Sequence, residues 1–141
     1  MKLSWGDYIS IAIHQTDLTL TGYIKQKLAP FNLAPEQNLI LMLLWERDGL
    51  SQNAIAETLN KDKTNIARMV LNLERKGFIK RTISQSDRRS LIVNLTEEGK
   101  VLGDKIIPIT EEFNHLVIKG ITEEEIKELD RILTKMRRNV Q

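Results

Sequence analysis

One stretch, from Leu73 to Gly99, constrains the fold more than the rest of the chain does. Its sequence is LERKGFIKRTISQSDRRSLIVNLTEEG. Gly77 follows a basic helical turn, and glycine is a common residue where a helix ends. Residues 78–83 and 90–95 then alternate in side-chain orientation and polarity, which is typical of β-strands. The stretch therefore predicts a helix end, a β-hairpin and, from the N-cap residue Thr96, a new helix.

The turn of the predicted hairpin is polar and strongly basic. It has the sequence SQSDRR, which ends in Asp87, Arg88 and Arg89 and consists of residue types that favour turns. A hairpin tip is among the most exposed parts of a small domain, so two adjacent arginines there are available to a polyanion. From the hairpin alone, an ordinary solvated turn is the alternative.

Positive charge is concentrated around this hairpin. Residues 61–89 contain nine Lys or Arg and three Asp or Glu, which gives a net charge of +6, whereas the 141-residue chain carries +2. The remainder of the chain therefore carries −4. A local basic surface on an otherwise acidic chain indicates nucleic-acid binding.

Two short helices precede the hairpin and predict a helix-turn-helix. The first is expected over 51–59 with Ser51 as its cap, and the second over 63–76 after a tight turn. In such modules the second helix lies in the major groove with its N-terminal half near the base edges. The side chains expected to reach bases are Lys63, Thr64, Asn65 and Arg68. Taken singly, each of them is equally consistent with an ordinary solvated helix face.

Phosphate contacts are expected beside these base contacts. The candidates are Ser51 and Gln52 at the start of the first helix, and Lys61 in the turn. Asn suits adenine, Arg suits guanine, and Thr can touch a thymine methyl group. The combined pattern of basic helix face, tight turn and basic hairpin favours binding to double-stranded DNA.

The remaining pattern is helical, so the fold class is mainly α with a small β-hairpin (α+β). Helices are predicted over 5–28, over a nearly all-apolar and therefore buried segment 39–45, and over 97–119 with a disturbance at Pro108. Thr122 and Glu125 form a capping box before the last helix. We expect a winged helix-turn-helix at 35–96, flanked by an N-terminal region (1–34) and a C-terminal region (97–141) that serve dimerisation.

Several functional classes are not supported. The chain has no cysteine, which excludes disulfides, thiol redox sensing and Cys-based zinc sites. His14 and His115 are the only histidines and lack a ligand cluster, so no metal or other cofactor is expected. Enzyme motifs are absent. No signal peptide and no membrane-spanning run is visible, which predicts a soluble cytoplasmic protein without membrane contact.

At the wing the sequence resembles a known family, the MarR-type winged helix-turn-helix transcription regulators. The most specific elements are Leu73-Glu74, Gly77-Phe78-Ile79, Arg81, Asp87-Arg88-Arg89, Val93, Leu95-Thr96-Glu97 and Gly99. The resemblance extends over about residues 5–139. It implies a homodimer that binds an inverted-repeat operator and usually represses. It also implies that Arg89 enters the minor groove and that Asp87 orients the wing tip, while Arg88 contacts phosphate or solvent.

Partners other than DNA follow from the two ends of the chain and from the resemblance. Ile126, Leu129, Leu133 and Met136 form an apolar stripe suited to helix packing, either across a homodimer or within the chain's own core. Relatives release DNA when a small phenolic or apolar ligand binds, so a small-molecule effector is a further expectation, although no ligand site is assigned. The alternatives are a winged-helix module for protein–protein interaction and a nucleoid-type DNA binder without sequence preference.

Overall fold

The computed structural model describes residues 2–141, which form six α-helices and a small antiparallel sheet. The helices are α1 (Ile9–Leu28), α2 (Pro35–Glu46), α3 (Gln52–Leu59), α4 (Lys63–Arg75), α5 (Glu97–Val117) and α6 (Glu123–Asn139). The strands are β1 (Leu50–Ser51), β2 (Ile79–Ile83) and β3 (Leu91–Leu95), and short 3-10 turns lie at Trp5–Asp7 and Ala29–Phe31. The expected class, mainly α with a small β-hairpin, is confirmed.

The sheet contains one strand more than the hairpin that the sequence predicted. Strands β2 and β3 pair with Ile79 opposite Leu95 and Ile83 opposite Leu91. On its other edge β3 pairs with β1, where Leu50 lies opposite Val93. The two residues of β1 are too few to show an alternating pattern, so the strand exists only because packing brings it to β3.

The molecule consists of two compact units, the first ending at Ile109 and the second comprising Thr110–Gln141. The first unit contains the apolar core. Its fully buried side chains come from α1, α2, α3, α4, the sheet and α5, and are Leu28, Ile40, Leu41, Leu44, Ile55, Ile66, Val70, Leu73, Ile79, Val93 and Ile106. The second unit contains the last turns of α5 and all of α6, and α6 has no buried residue.

Helix caps explain where the helix-turn-helix segments begin. The Ser51 hydroxyl oxygen accepts a hydrogen bond from the amide of Ala54 at 3.0 Å, and an Asp62 carboxylate oxygen accepts one from the amide of Asn65 at 2.7 Å. Asn60 ends α3 in the left-handed conformation, at φ 52°. The predicted tight turn between two helices is therefore confirmed, with its polar residues acting as caps.

Three predictions about the helices were partly wrong. The N-terminal helix does not run from residue 5, because a 3-10 turn and an extended Tyr8 precede α1. The segment expected to be buried all round exposes Leu39 (42%) and Met42 (40%) within this chain. Helix α5 continues through Pro108 and ends at Val117 instead of Lys119. Local periodicity located these helices but could not set their exact ends or their outer faces.

Candidate nucleic-acid interface

Helix α4 buries one face and leaves the other open. Its inner stripe is Ile66, Met69, Val70 and Leu73, at the spacing that places side chains on one side of a helix. On the outer face Lys63, Thr64 and Arg68 are exposed, while Asn65 is half-buried. The three exposed side chains therefore share a solvent-facing surface at the N-terminal half of α4, as the sequence predicted.

The tip of the β2–β3 hairpin, called the wing below, is organised by one carboxylate. Asp87 accepts hydrogen bonds from the amide of Arg89 at 3.0 Å and from the hydroxyl of Ser90 at 3.3 Å. The amide of Asp87 in turn donates to the hydroxyl of Ser84 at 3.3 Å. Asp87 thus closes the turn through its neighbours, and it leaves the side chains of Arg88 and Arg89 exposed.

The start of α3 holds two of the predicted phosphate-binding residues. The hydroxyl oxygen of Ser51 already accepts the capping bond from Ala54, so only its proton can be offered to a phosphate. Gln52 is half-buried, and its Oε1 is buried with no hydrogen-bond partner among the described residues.

Lys61, the third phosphate candidate, has a partner inside the protein. Its ammonium lies 3.3 Å from a carboxylate oxygen of Glu36 in the first turn of α2, and its side chain is only 24% exposed. The structure therefore places Lys61 against α2, apart from the open face of α4. A phosphate at Lys61 would compete with this ion pair.

Three of the nine basic residues in segment 61–89 are engaged internally, namely Lys61, Lys76 and Arg81. The other six side chains are exposed, and none forms an ion pair within the described residues 2–141. They are Lys63, Arg68, Arg75, Lys80, Arg88 and Arg89. This exposed set, which we call the basic surface, carries the positive potential that the sequence assigned to the whole segment.

The end of α4 is attached to α2 through a polar network. The Lys76 ammonium donates to the carbonyl of Asn32 and, at 2.9 Å, to Oε1 of Gln37. The Nε2 group of Gln37 donates to Oδ1 of Asn72 at 2.8 Å. Partial burial lowers the pKa of Lys76 below its usual range, and its ammonium is already engaged by two acceptors of the protein.

Comparison with known proteins identifies the family. The MarR family model matches residues 33–91, which include α2, the helix-turn-helix and the wing. The organic hydroperoxide resistance transcriptional regulator of Bacillus subtilis (strain 168) is 31% identical over 109 residues, covering 77% of this chain and 73% of that protein. The chain belongs to the MarR family. The expectation drawn from the wing residues is thereby confirmed.

Solved MarR-family structures share the fold over nearly the whole chain. The Staphylococcus aureus MepR–DNA complex superposes with a TM-score of 0.87 at 29% identity, covering 95% of this chain and 99% of that one. The transcriptional regulator SlyA gives a TM-score of 0.83 at 30% identity, covering 94% and 93% of the two chains. This MarR-family protein is accordingly a DNA-binding transcriptional regulator with a winged-helix fold, and not an enzyme.

Metal-ligand groups and membrane-spanning helices were sought in this MarR-family chain as well. Across residues 2–141, no group of three or more His, Cys, Asp or Glu side chains is arranged to hold a metal ion. Within the same residues, no helix is both long and apolar enough to cross a membrane.

Sequence reasoning did not single out two members of the basic surface, Arg75 at the end of α4 and Lys80 on the outer face of β2. Both had been counted in the charge of segment 61–89. They were passed over because only the first half of the recognition helix and the wing tip were considered as contact positions. The signal that could have found Lys80 is its place on the polar side of the strand alternation, together with Thr82.

Proposed function

We propose that this MarR-family protein is a homodimeric repressor that binds a pseudo-palindromic operator. The observation that carries the proposal is that the face of α4 and the wing tip both present unpaired cations. In the proposed complex, Asn65 and Arg68 contact base edges in the major groove and Arg89 enters the adjacent minor groove. A narrow minor groove has an enhanced negative potential, which attracts an exposed arginine such as Arg89 on the turn that Asp87 orders.

The remaining predicted site residues position the protein on the DNA backbone or touch bases more weakly. Lys63 and Thr64 lie at the first turn of α4, where the helix dipole and exposed amides favour phosphate as well as base contacts. Ser51 and Gln52 offer donors to a phosphate at the start of α3. Arg88 points into solvent beside Arg89 and is assigned to phosphate. Lys61 contributes only if DNA displaces Glu36 from its ammonium.

A second copy of the chain is proposed to cover the apolar side chains left open at both ends. In the second unit Leu129 is 50% exposed, and Ile126, Leu133 and Met136 are half-buried. Near the N-terminus Trp5 is 68% and Ile9 58% exposed. The four α6 residues follow a helical spacing that places them along one face, and a contiguous apolar face of this kind marks an association surface. A two-fold axis would present two α4 helices to successive major grooves and so match an inverted repeat.

Release by a small apolar ligand is a further part of the proposal. The first unit has a surface depression of about 340 Å³ lined by Phe31, Phe78, Glu97, Glu98, Val101, Leu102 and Lys105, a volume in the range of ligand sites. Two carboxylates and one ammonium give the lining a net charge of −1, and its other side chains are apolar, so a neutral phenol such as 4-ethylphenol is the probe. We expect it to raise the melting temperature and weaken DNA binding. Unchanged binding at saturating phenol would refute release by this ligand class.

Peroxide sensing through a thiol is excluded from the proposal. The name of the Bacillus subtilis relative refers to organic hydroperoxide, but this chain has no cysteine. Its effector, if a phenol, must act by binding and not by oxidising a thiol. Because the proposed operator lies on chromosomal DNA, the proposal also places the protein in the cytoplasm.

Selection of bound sites from a random duplex library of about 30 base pairs tests the proposal, since this length spans two half-sites one turn apart. Enrichment of an inverted repeat is expected. Retention without enrichment would instead indicate a nucleoid-type binder. No retention at low salt, where phosphate contacts are strongest, would favour a module that binds an acidic protein. A reporter gene under the enriched site, silenced by the protein, distinguishes repression from activation.

A further inference from the structure

The last turn of α4 is joined to strand β2 by Glu74 and Arg81. One carboxylate oxygen of Glu74 accepts from the backbone amide of Arg81 at 3.0 Å. The other accepts from Nε and Nη2 of the same residue at 3.3 and 3.1 Å. A carboxylate bonded to both the backbone and the guanidinium of one residue restricts the path of the strand as well as the side chain.

This contact lies where the wing leaves the body of the protein. Along β2, Ile79 is buried, Arg81 is half-buried and Ile83 is 64% exposed. The outer wing, from Thr82 to Ser90, therefore extends into solvent beyond the last half-buried residue of β2. Arg81 directly precedes this outer segment and is held by the helix that presents the base-contacting residues, while its pairing partner Val93 on β3 is held by β1.

The partial burial of Glu74 and Arg81 suits a role in holding β2 in a fixed position relative to α4. The side chains are 32% exposed for Glu74 and 26% exposed for Arg81, so solvent screens them less than it screens a surface pair. The hydrogen bonds from Arg81 hold the pKa of Glu74 below its ordinary value, so the carboxylate stays ionised near neutral pH. Arg81, whose sequence position lies within the basic segment, is thus engaged through Nε and Nη2 by a carboxylate of the protein itself.

We propose that Glu74 and Arg81 are positioning residues that set the angle between α4 and the wing, so that major-groove and minor-groove contacts form together. The inference rests on the proposed function, because it assigns two grooves to two elements. It predicts that the losses of DNA affinity caused by substituting Glu74 and Arg89 are not additive. Once the Glu74–Arg81 contact is lost, Arg89 no longer meets the minor groove in register and contributes little, whereas Arg68 is on α4 itself and keeps its contribution.

A double-mutant cycle on DNA affinity tests this coupling. The probe is the roughly 30-base-pair duplex enriched in the selection. In the parent protein Arg89→Ala should weaken binding by about five- to 150-fold, and in the Glu74→Ala background by less than twofold. Arg68→Ala should cost the same factor in both backgrounds. An equal loss for Arg89→Ala in the two backgrounds would overturn the proposal.

The matched control removes a similar ion pair from an exposed helix face. Glu128 and Arg131 on α6 lie 2.6 Å apart, and Glu128→Ala changes the net charge by the same amount as Glu74→Ala. It should leave the Arg89→Ala factor unchanged. Glu74→Gln retains an acceptor for the Arg81 amide, so the loss of DNA affinity caused by Arg89→Ala in this background should be intermediate. This variant replaces Glu74→Ala if the alanine variant folds poorly.

A DNA-free distance measurement separates this inference from the proposed function. The chain has no cysteine, so Glu57→Cys on α3 and Gln85→Cys at the wing tip can carry the only spin labels, diluted with unlabelled chain. We expect a narrow distance distribution that Glu74→Ala broadens and Glu128→Ala does not. A distribution still narrow after Glu74→Ala would refute the positioning role. Broadening without any duplex retained would refute the proposed function alone.

Discussion

At the scale of single residues, the side chain of Asp87 orders the turn that carries Arg89. The carboxylate of Asp87 binds the amide of Arg89 and the hydroxyl of Ser90, so the turn is organised before DNA arrives. An arginine on an ordered turn loses less conformational freedom on binding than one on a loose loop. We therefore expect substitution of Arg89 to have a large effect on DNA recognition.

Arg89→Ala should weaken binding to the enriched duplex by about 1–3 kcal/mol and relax sequence preference at one position in each half-site. Arg138→Ala, which removes an exposed cation from α6, is the control and should change affinity by no more than a general loss of charge does. Fluorescence anisotropy over a range of salt concentrations measures both. Equal affinities for the parent and Arg89→Ala would contradict the minor-groove assignment.

Two glycines of α5 are explained by contact distances in the first unit. A Cβ atom on Gly99 would lie 2.1 Å from the carbonyl oxygen of Phe78, and one on Gly103 would lie 2.8 Å from Nε1 of Trp45. Trp45 also donates a hydrogen bond to the carbonyl of Gly99 at 3.0 Å. The absence of side chains at these positions lets α5 approach Trp45 of α2 and the backbone of Phe78, just before β2, closely.

Gly99→Ala should lower the free energy of unfolding by about 1–3 kcal/mol, because the backbone at Phe78 must move to admit the methyl group. Gly22→Ala is the control, since nothing lies within 4 Å of its Cβ position in α1. It should be neutral or stabilising by about 0.5–1 kcal/mol, as expected for alanine in a helix interior. Chemical denaturation measures both, and a stable Gly99→Ala variant would contradict the close packing.

At the scale of elements, α4 is held by different forces on different sides. Its buried stripe attaches it to the core, Lys76 and Asn72 attach its end to α2, and Glu74 attaches it to β2. Its outer face remains open, from Lys63 in the first turn to Arg75 in the last. A recognition helix held in this way presents its side chains in one orientation, which reduces the ordering that DNA binding requires.

The Glu74 contact makes a pH-dependent contribution to stability. The pKa of Glu74 in the folded protein is lowered from 4.5, chiefly by the side-chain hydrogen bond from Arg81. A lowered folded-state pKa gives a contribution that is present above the unfolded-state pKa and lost as pH falls through the folded-state value. The difference in unfolding free energy between the parent and Glu74→Gln should therefore shrink below about pH 4.5. A pH-independent difference between pH 6 and 3 would contradict it.

At the scale of the whole molecule, a single chain leaves apolar side chains open in each of its two units. The amphipathic helix α6 exposes Leu129 and half-buries Ile126, Leu133 and Met136. The capping box of Thr122 and Glu125 stabilises the start of the helix without providing a cover for this stripe. A second copy of the chain is the proposed cover, which would make operator binding dependent on protein concentration.

Leu129→Glu combined with Leu133→Glu should shift the protein from dimer to monomer, because two carboxylates cannot be buried unpaired. Sedimentation at micromolar concentration gives the mass, and circular dichroism checks that the helices persist. Asn139→Glu, an exposed substitution at the end of α6, is the control and should leave the dimer intact. A parent protein that sediments as a single chain would refute the dimer directly.

Much of the fold was predictable because its signals are local. The caps Ser51 and Thr122, the glycine after α4 and the alternation in β2 and β3 depend on residues within a few positions of one another. The two-residue strand β1 carried no such signal, since its only reason to be extended is its pairing with β3. The exposed faces of α2 were likewise unpredictable, because an apolar helix does not reveal which of its sides is covered.

In the candidate site, too, some features were predictable from local sequence and others were not. The sequence by itself determined the helix-turn-helix, the wing and the identity of the residues at its tip, because backbone propensities and side-chain periodicity act over short distances. Only the tertiary structure decided which cations are free. Lys61 lies beside a glutamate 25 positions away, Lys76 lies beside a glutamine 39 positions away, and Arg81 lies beside a glutamate seven positions earlier, on the preceding helix. Such pairings arise where packed elements meet, and electrostatic attraction then depends on distance in space and not along the chain.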